Sequence, residues 1–116
     1  MVLHGLDDAA AVRAMAAALG SPFEVTGAAH DRACKKTMLR IEGFETSVLY
    51  RLGRLRDLLG NMGAEITVSD EHQTAEAWTA TRDVAVFAAA KGDVWRVSCK
   101  PSDGPSLAAR SQAEAW

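Results

Sequence analysis

Apolar positions at the start of the chain first keep a helical period and then alternate. Val12, Met15, Ala16 and Leu19 stand at i, i+3, i+4 and i+7, which predicts an amphipathic helix. Asp7 or Asp8 is placed to cap it. Gly20, followed by Ser21-Pro22, is a stop, with glycine expected in the left-handed C-terminal conformation. In "PFEVTGAAH" the period becomes two, with Phe23, Val25, Gly27 and Ala29 on one face and Glu24, Thr26 and Ala28 on the other. "TMLRIEG" alternates again and sets Thr37, Leu39 and Ile41 inward, with Arg40 and Glu42 outward. "DRACKK" is a short polar connection, so these two strands are expected to pair as an antiparallel hairpin.

The strongest periodic signal is "FETSVLYRLGRLRDLLG". Phe44, Val48, Leu52, Leu55 and Leu59 form a stripe that Leu49 and Leu58 widen, and Gly60 closes the helix. Gly53 in its middle costs up to about 1 kcal/mol relative to alanine, which suggests backbone-close packing at that turn. "GAEITVS" predicts a third strand with Ala64, Ile66 and Val68 inward. Ser69 or Asp70 caps a third helix, "EHQTAEAWTATRDV", anchored by Trp78, and "VAVFAAAKGD" reads as a connection. "VWRVSC" predicts a fourth strand, with Trp95, Val97 and Cys99 facing the core and Val94, Arg96 and Ser98 on its other face. Gly104-Pro105 opens a last helix. Trp78 and Trp95 are expected to be buried anchors. The pattern implies an α+β fold: a mainly antiparallel sheet of about four strands, helices on one face, in a ferredoxin-like, split βαβ arrangement.

At 116 residues the chain fits one domain, residues 1–116, able to bury one core without a metal or disulfide staple. A formal charge of −2 gives no basic excess for a nucleic-acid backbone. No apolar run approaches the roughly 20 residues that cross a bilayer. "MVLHGLDDAA" has no apolar core of a secretory signal, so a cytoplasmic location is expected, with Cys34 and Cys99 as reduced thiols.

Candidate chemistry is sparse. His4, His30 and His72 share no ligand spacing, and a zinc site needs three or four convergent ligands. No metal site is expected. His30 closes a strand and is a ligand-facing candidate by position. Cys34 lies beside Lys35 and Lys36, whose charges would lower its pKa. Arg51, Arg54 and Arg56 read as the solvated face of their helix, or as a surface for an acidic partner. A charge such as Arg96 on a strand needs a partner, water or a ligand. No GxSxG, GxGxxG or Walker sequence occurs, so no phosphate-cradling loop can be named.

Taken together, "PFEVTGAAH", "LRIEGFETSVLYRLGRLRDLLG", "EAWTATRDVAVF" and "VWRVSCKPSDGP" resemble, in order and approximate spacing, the FAD-binding subunit of bacterial glycolate oxidase, a vanillyl-alcohol-oxidase-type flavoprotein. The resemblance spans nearly the whole chain and implies the C-terminal cap or substrate region of a larger subunit that continues at both ends. The FAD-binding domain, with its glycine-rich pyrophosphate loops, would lie outside this chain, and the fragment alone would be inactive. The complete enzyme would oxidise glycolate and other small 2-hydroxy acids to the 2-oxo acid. Electrons would pass through FAD to flavoprotein and iron–sulfur partner subunits, with the complex cytoplasmic or peripheral to the inner membrane. "VWRVSCKP" would be an inner strand of the cap sheet, "SDGP" the turn after it, and "AEAW" the start of a further strand. No family motif in this region assigns a catalytic residue. His30, Arg96, Ser98 and Lys100 are the candidates for the side facing flavin or partner. Exposed edges or uncovered apolar surface would favour self-association of the fragment. The alternative is a free-standing ferredoxin-like module that binds a small ligand or serves regulation or assembly.

Overall fold

The strand on which the sheet is built is one that alternation does not mark. In the computed structural model, which describes residues 1–111, β1 is Val2–His4, only three residues long, with Leu3 its single fully buried side chain. The remaining regular elements are α1 (Asp8–Leu19), β2 (Gly27–Asp31), β3 (Lys36–Arg40), α2 (Glu45–Leu59), β4 (Glu65–Thr67), α3 (Glu71–Arg82) and α4 (Gly104–Ser111). The expected strand "AEAW" lies outside the described residues. The residues form two compact units. One is Met1–Val68 with the segment from Lys100 onward, and the other is Ser69–Cys99.

The first unit holds the whole sheet. Its order is β2-β3-β1-β4, with every neighbouring pair antiparallel. With α1 joining β1 to β2 and α2 joining β3 to β4, this is the split βαβ, ferredoxin-like arrangement. The fold is α+β, with α1 and α2 meeting the sheet in a core of Met1, Leu3, Leu6, Ala11, Ala14, Ala18, Leu39, Leu55 and Leu59.

Four strands were expected and four are present, but they are not the same four. β1 takes the place assigned to "VWRVSC". Residues Asp93–Lys100 have no regular structure, and no strand among the described residues pairs with them. Trp95 is 82% exposed and Val97 73% exposed, so neither is a core anchor. Cys99 is likewise exposed. Alternation makes a two-faced ribbon, but only cross-strand neighbours stabilise it as a strand. Trp78 is half-buried on α3.

Helix faces also turn from their expected positions. On α1 the buried row is Ala11, Ala14 and Ala18, while Leu19 is exposed. Small side chains let the helix lie close to the sheet, and the larger Val12 and Met15 flank the contact. Asp7 is the cap, its carboxylate accepting from the Ala10 N–H at 2.7 Å. Gly20 ends the helix in the right-handed region, at φ −81°. α2 runs on through a 3₁₀ turn at Gly60–Met62, and its left-handed residue is Gly63, at φ +72°. The buried face of α2 is Arg51, Leu55 and Leu59, while Phe44 and Leu49 point to solvent. A Cβ on Gly53 would meet nothing within 4 Å, so no close packing within the chain accounts for that glycine.

Arg51 explains the turn of α2. Rather than lining a solvated face, it is buried and donates from Nη2 to the Glu42 carbonyl at 2.6 Å. It also donates from Nη1 to the Glu24 carbonyl at 3.5 Å and from Nε to the Ser47 carbonyl at 3.3 Å. The Glu24 carboxylate lies 3.6 Å from Nη1. A Cβ at Gly43, φ +138°, would stand 2.8 Å from Arg51 Nη2, so the loop before α2 needs glycine there. Arg54, by contrast, lies over the Phe23 ring and pairs with Asp57 at the surface.

The second unit holds α3, capped by the Asp70 carboxylate accepting from the Gln73 N–H at 2.8 Å, and a 3₁₀ turn at Ala85–Phe87. No helix among the described residues is long and apolar enough to cross a membrane.

Leu3→Ala should destabilise by about 2–5 kcal/mol, whereas Trp95→Ala should stay within about 0.5 kcal/mol of the parent. Urea midpoints for the two variants check this. The reverse ranking would make Asp93–Lys100, and not β1, the structural strand.

Candidate functional site

A polar cluster at the core boundary is built by strand register. In the β2–β3 ladder His30 stands opposite Thr37 and Ala28 opposite Leu39. Because Thr37 and Leu39 face the helices, Ala28 and His30 do too, reversing the facing that alternation in "PFEVTGAAH" suggests. Phe23 and Val25 still pack against the core, but from the loop before the strand.

The His30 side chain is only 9% exposed. Its Nδ1 lies 3.0 Å from Thr37 Oγ1 and its Nε2 lies 3.3 Å from Asp8 Oδ1. The other Asp8 oxygen takes Arg32 Nε at 2.9 Å, and Arg32 Nη1 donates to the Ala108 carbonyl at 3.2 Å. An ionised carboxylate only accepts, so a neutral His30 carries its proton on Nε2 and accepts from the Thr37 hydroxyl at Nδ1. Asp8 also sits in the first turn of α1, where the helix dipole favours negative charge. One chain of polar contacts thereby ties β3, β2, α1 and α4.

Hydroxyl, imidazole and carboxylate in a row is the pattern of an activated nucleophile. Here the hydroxyl is fully buried, between Leu3 on one neighbouring strand and His30 on the other, and no substrate atom can reach it. The cluster satisfies buried polar atoms. None of the buried side-chain nitrogens or oxygens among the described residues lacks a partner.

Arg96 and Ser98 lie exposed in the second unit, on the segment without regular structure. Lys100, in the first unit, is exposed just before the 3₁₀ turn Pro101–Asp103. His30 is thus committed to an internal network, while Arg96, Ser98 and Lys100 are solvent-facing. The remaining histidines have single partners, His4 with Thr67 Oγ1 at 2.9 Å and His72 with Glu76 at 3.5 Å. No group of three or more His, Cys, Asp or Glu among the described residues is placed to hold a metal ion. The Cys34 thiol does not have the lowered pKa that its lysine neighbours suggest. A side-chain hydrogen bond to Asp31 and the charge of that carboxylate raise it, outweighing the opposite pull of Lys36.

The openings of α1, α2 and α3 are acidic, whereas α4 has no acidic residue in its first turn. Helix N-termini bind phosphate when free of negative charge, but α1 opens on Asp7 and Asp8, α2 on Glu45, and α3 on Asp70 and Glu71. Sequence reasoning missed Asp8, Arg32 and Thr37 as one set of polar ties, and Arg51 as the centre of another. The hairpin register that places His30 opposite an inward Thr37 is the signal from which part of it was recoverable. Comparison with protein-family models, with curated proteins and with solved structures finds no match to this chain.

His30→Leu should cost about 1–3 kcal/mol, because it leaves the Thr37 hydroxyl buried without its ring partner. Adding Thr37→Val should recover part of that loss. Chemical denaturation of the parent, the two single variants and the double checks the coupling, and strictly additive effects would show that the two side chains do not interact.

Proposed function

We propose that this chain is the cap or substrate region of the FAD-binding subunit of a bacterial glycolate oxidase. In this reading it forms part of a larger enzyme that oxidises glycolate and related 2-hydroxy acids to 2-oxo acids. The ordered resemblance of four segments motivates the proposal, and the α+β layer is compatible with it. The observation that carries it is the state of "VWRVSCKP". Trp95 and Val97 alternate with Arg96 and Ser98 along a segment with no strand partner among the described residues, and both stand in solvent. A sequence patterned for a two-faced strand but lacking neighbours supports a segment that completes its sheet with parts of the larger subunit.

In that setting FAD, held by the remainder of the subunit, supplies hydride acceptance. This chain shapes and covers the substrate side, and the protein contributes orientation and exclusion of side reactions. Arg96 and Lys100 place positive charge beside the alternating strip, suited to a carboxylate substrate or an acidic partner surface. His30 serves the fold of the first unit, holding β2, β3 and α1 together. Electrons would leave through flavoprotein and iron–sulfur partner subunits in a cytoplasmic or membrane-peripheral complex.

Grafting residues 1–111 in place of the corresponding region of a glycolate oxidase FAD-binding subunit tests the reading. The hybrid should retain FAD and reduce a dye with glycolate. A hybrid that keeps stoichiometric FAD but gives no glycolate-dependent reduction would overturn it. The chain alone should be colourless and leave the fluorescence of added FAD unquenched at micromolar concentrations, which a direct titration checks.

A further inference from the structure

Gly53 is the starting point. It sits in the middle of a 15-residue helix, where glycine costs up to about 1 kcal/mol relative to alanine, yet a Cβ there would meet nothing within 4 Å. Its neighbour one turn earlier, Leu49, is 62% exposed. At 3.6 residues per turn, Glu45, Leu49, Gly53 and Arg56 fall in one exposed row along the outer flank of α2, beside the face that buries Arg51, Leu55 and Leu59. Glu45 and Arg56 are exposed at the two ends of the row, and neither has an ion-pair partner among the described residues. The row therefore carries an apolar knob, a gap of glycine size, one free anion and one free cation.

These four features match one another when the row is turned end over end. A two-fold axis through the level of residue 51 sets Leu49 of one helix at the height of Gly53 on the other, twice. The same axis places Arg56 of each helix within about 1.5 Å in height of Glu45 on its partner. Knob-to-gap and cation-to-anion pairings thus coincide in a single antiparallel register. An isologous interface requires that kind of self-complementarity, each residue meeting its counterpart reciprocally. The glycine lets Leu49 seat at ordinary helix-packing separations of about 8–10 Å. The antiparallel order also sets each helix N-terminus beside a C-terminus, where the dipoles attract.

We propose that the outer face of α2 is a docking surface for a second copy of this chain, paired antiparallel about Arg51. This assignment stands independently of the flavoprotein reading.

Sedimentation equilibrium of the full chain at low ionic strength, where exposed ion pairs are least screened, tests it. The parent should dimerise with rising concentration. Arg56→Glu and Glu45→Arg should each weaken association by about tenfold, since two attractive contacts become repulsive. The double variant Glu45→Arg/Arg56→Glu should return to within about threefold of the parent. Gly53→Leu fills the gap without altering charge and should abolish dimerisation while far-UV circular dichroism stays helical. A parent that is monomeric at every concentration overturns the proposal. So does a dimer that is indifferent to the α2 substitutions, or one that is lost instead on Trp95→Ser, and so does a double variant no better than the singles.

Discussion

The structure depends on Leu3. Its strand lies at the centre of the sheet, with β3 on one side and β4 on the other, and its side chain is wholly buried between Thr37 and Ile66. Among the described residues β4 has no other strand neighbour, and the β2–β3 hairpin joins the rest of the sheet only through β1. A central strand satisfies backbone groups on both edges, so three residues suffice where a longer edge strand would not. The alanine row of α1 then closes over Leu3 and Leu39, and Leu55 and Leu59 complete the core.

Two polar devices fit the loops to this core. Arg51 gathers backbone carbonyls of the segments before β2 and before α2, which holds those segments against α2. His30 joins the hairpin to the start of α1 by way of Thr37 and Asp8, and Arg32 extends that tie to α4. Leaving such groups buried without partners is expensive, so each device favours one loop arrangement over its competitors. Both use side chains that look reactive or solvent-seeking in isolation. Their partners turn them into structural groups.

Surface chemistry is concentrated elsewhere. The described residues offer no metal cluster, and the openings of α1, α2 and α3 carry carboxylates. What remains available is an apolar and cationic strip at Val94–Lys100 and the outer row of α2.

Sequence by itself determined the fold class, the hairpin, the inward face of β3 and the helical extent of α2, and narrowed the caps to Asp7 or Asp8 and to Ser69 or Asp70. Each of these follows from local periodicity, turn length or capping chemistry, which act over a few residues. Tertiary structure decided the rest. β1 is too short to show a period and becomes a strand only because two neighbours pair with it. Asp93–Lys100 has the period of a strand and lacks the neighbours. The facing of β2 was settled by its register with β3, which brought His30 inward. Arg51 reads as a solvated charge on its helix and is buried because carbonyls from distant loops converge on it. Local pattern reports which conformations a segment can adopt, and the partners that select among them come from elsewhere in the chain.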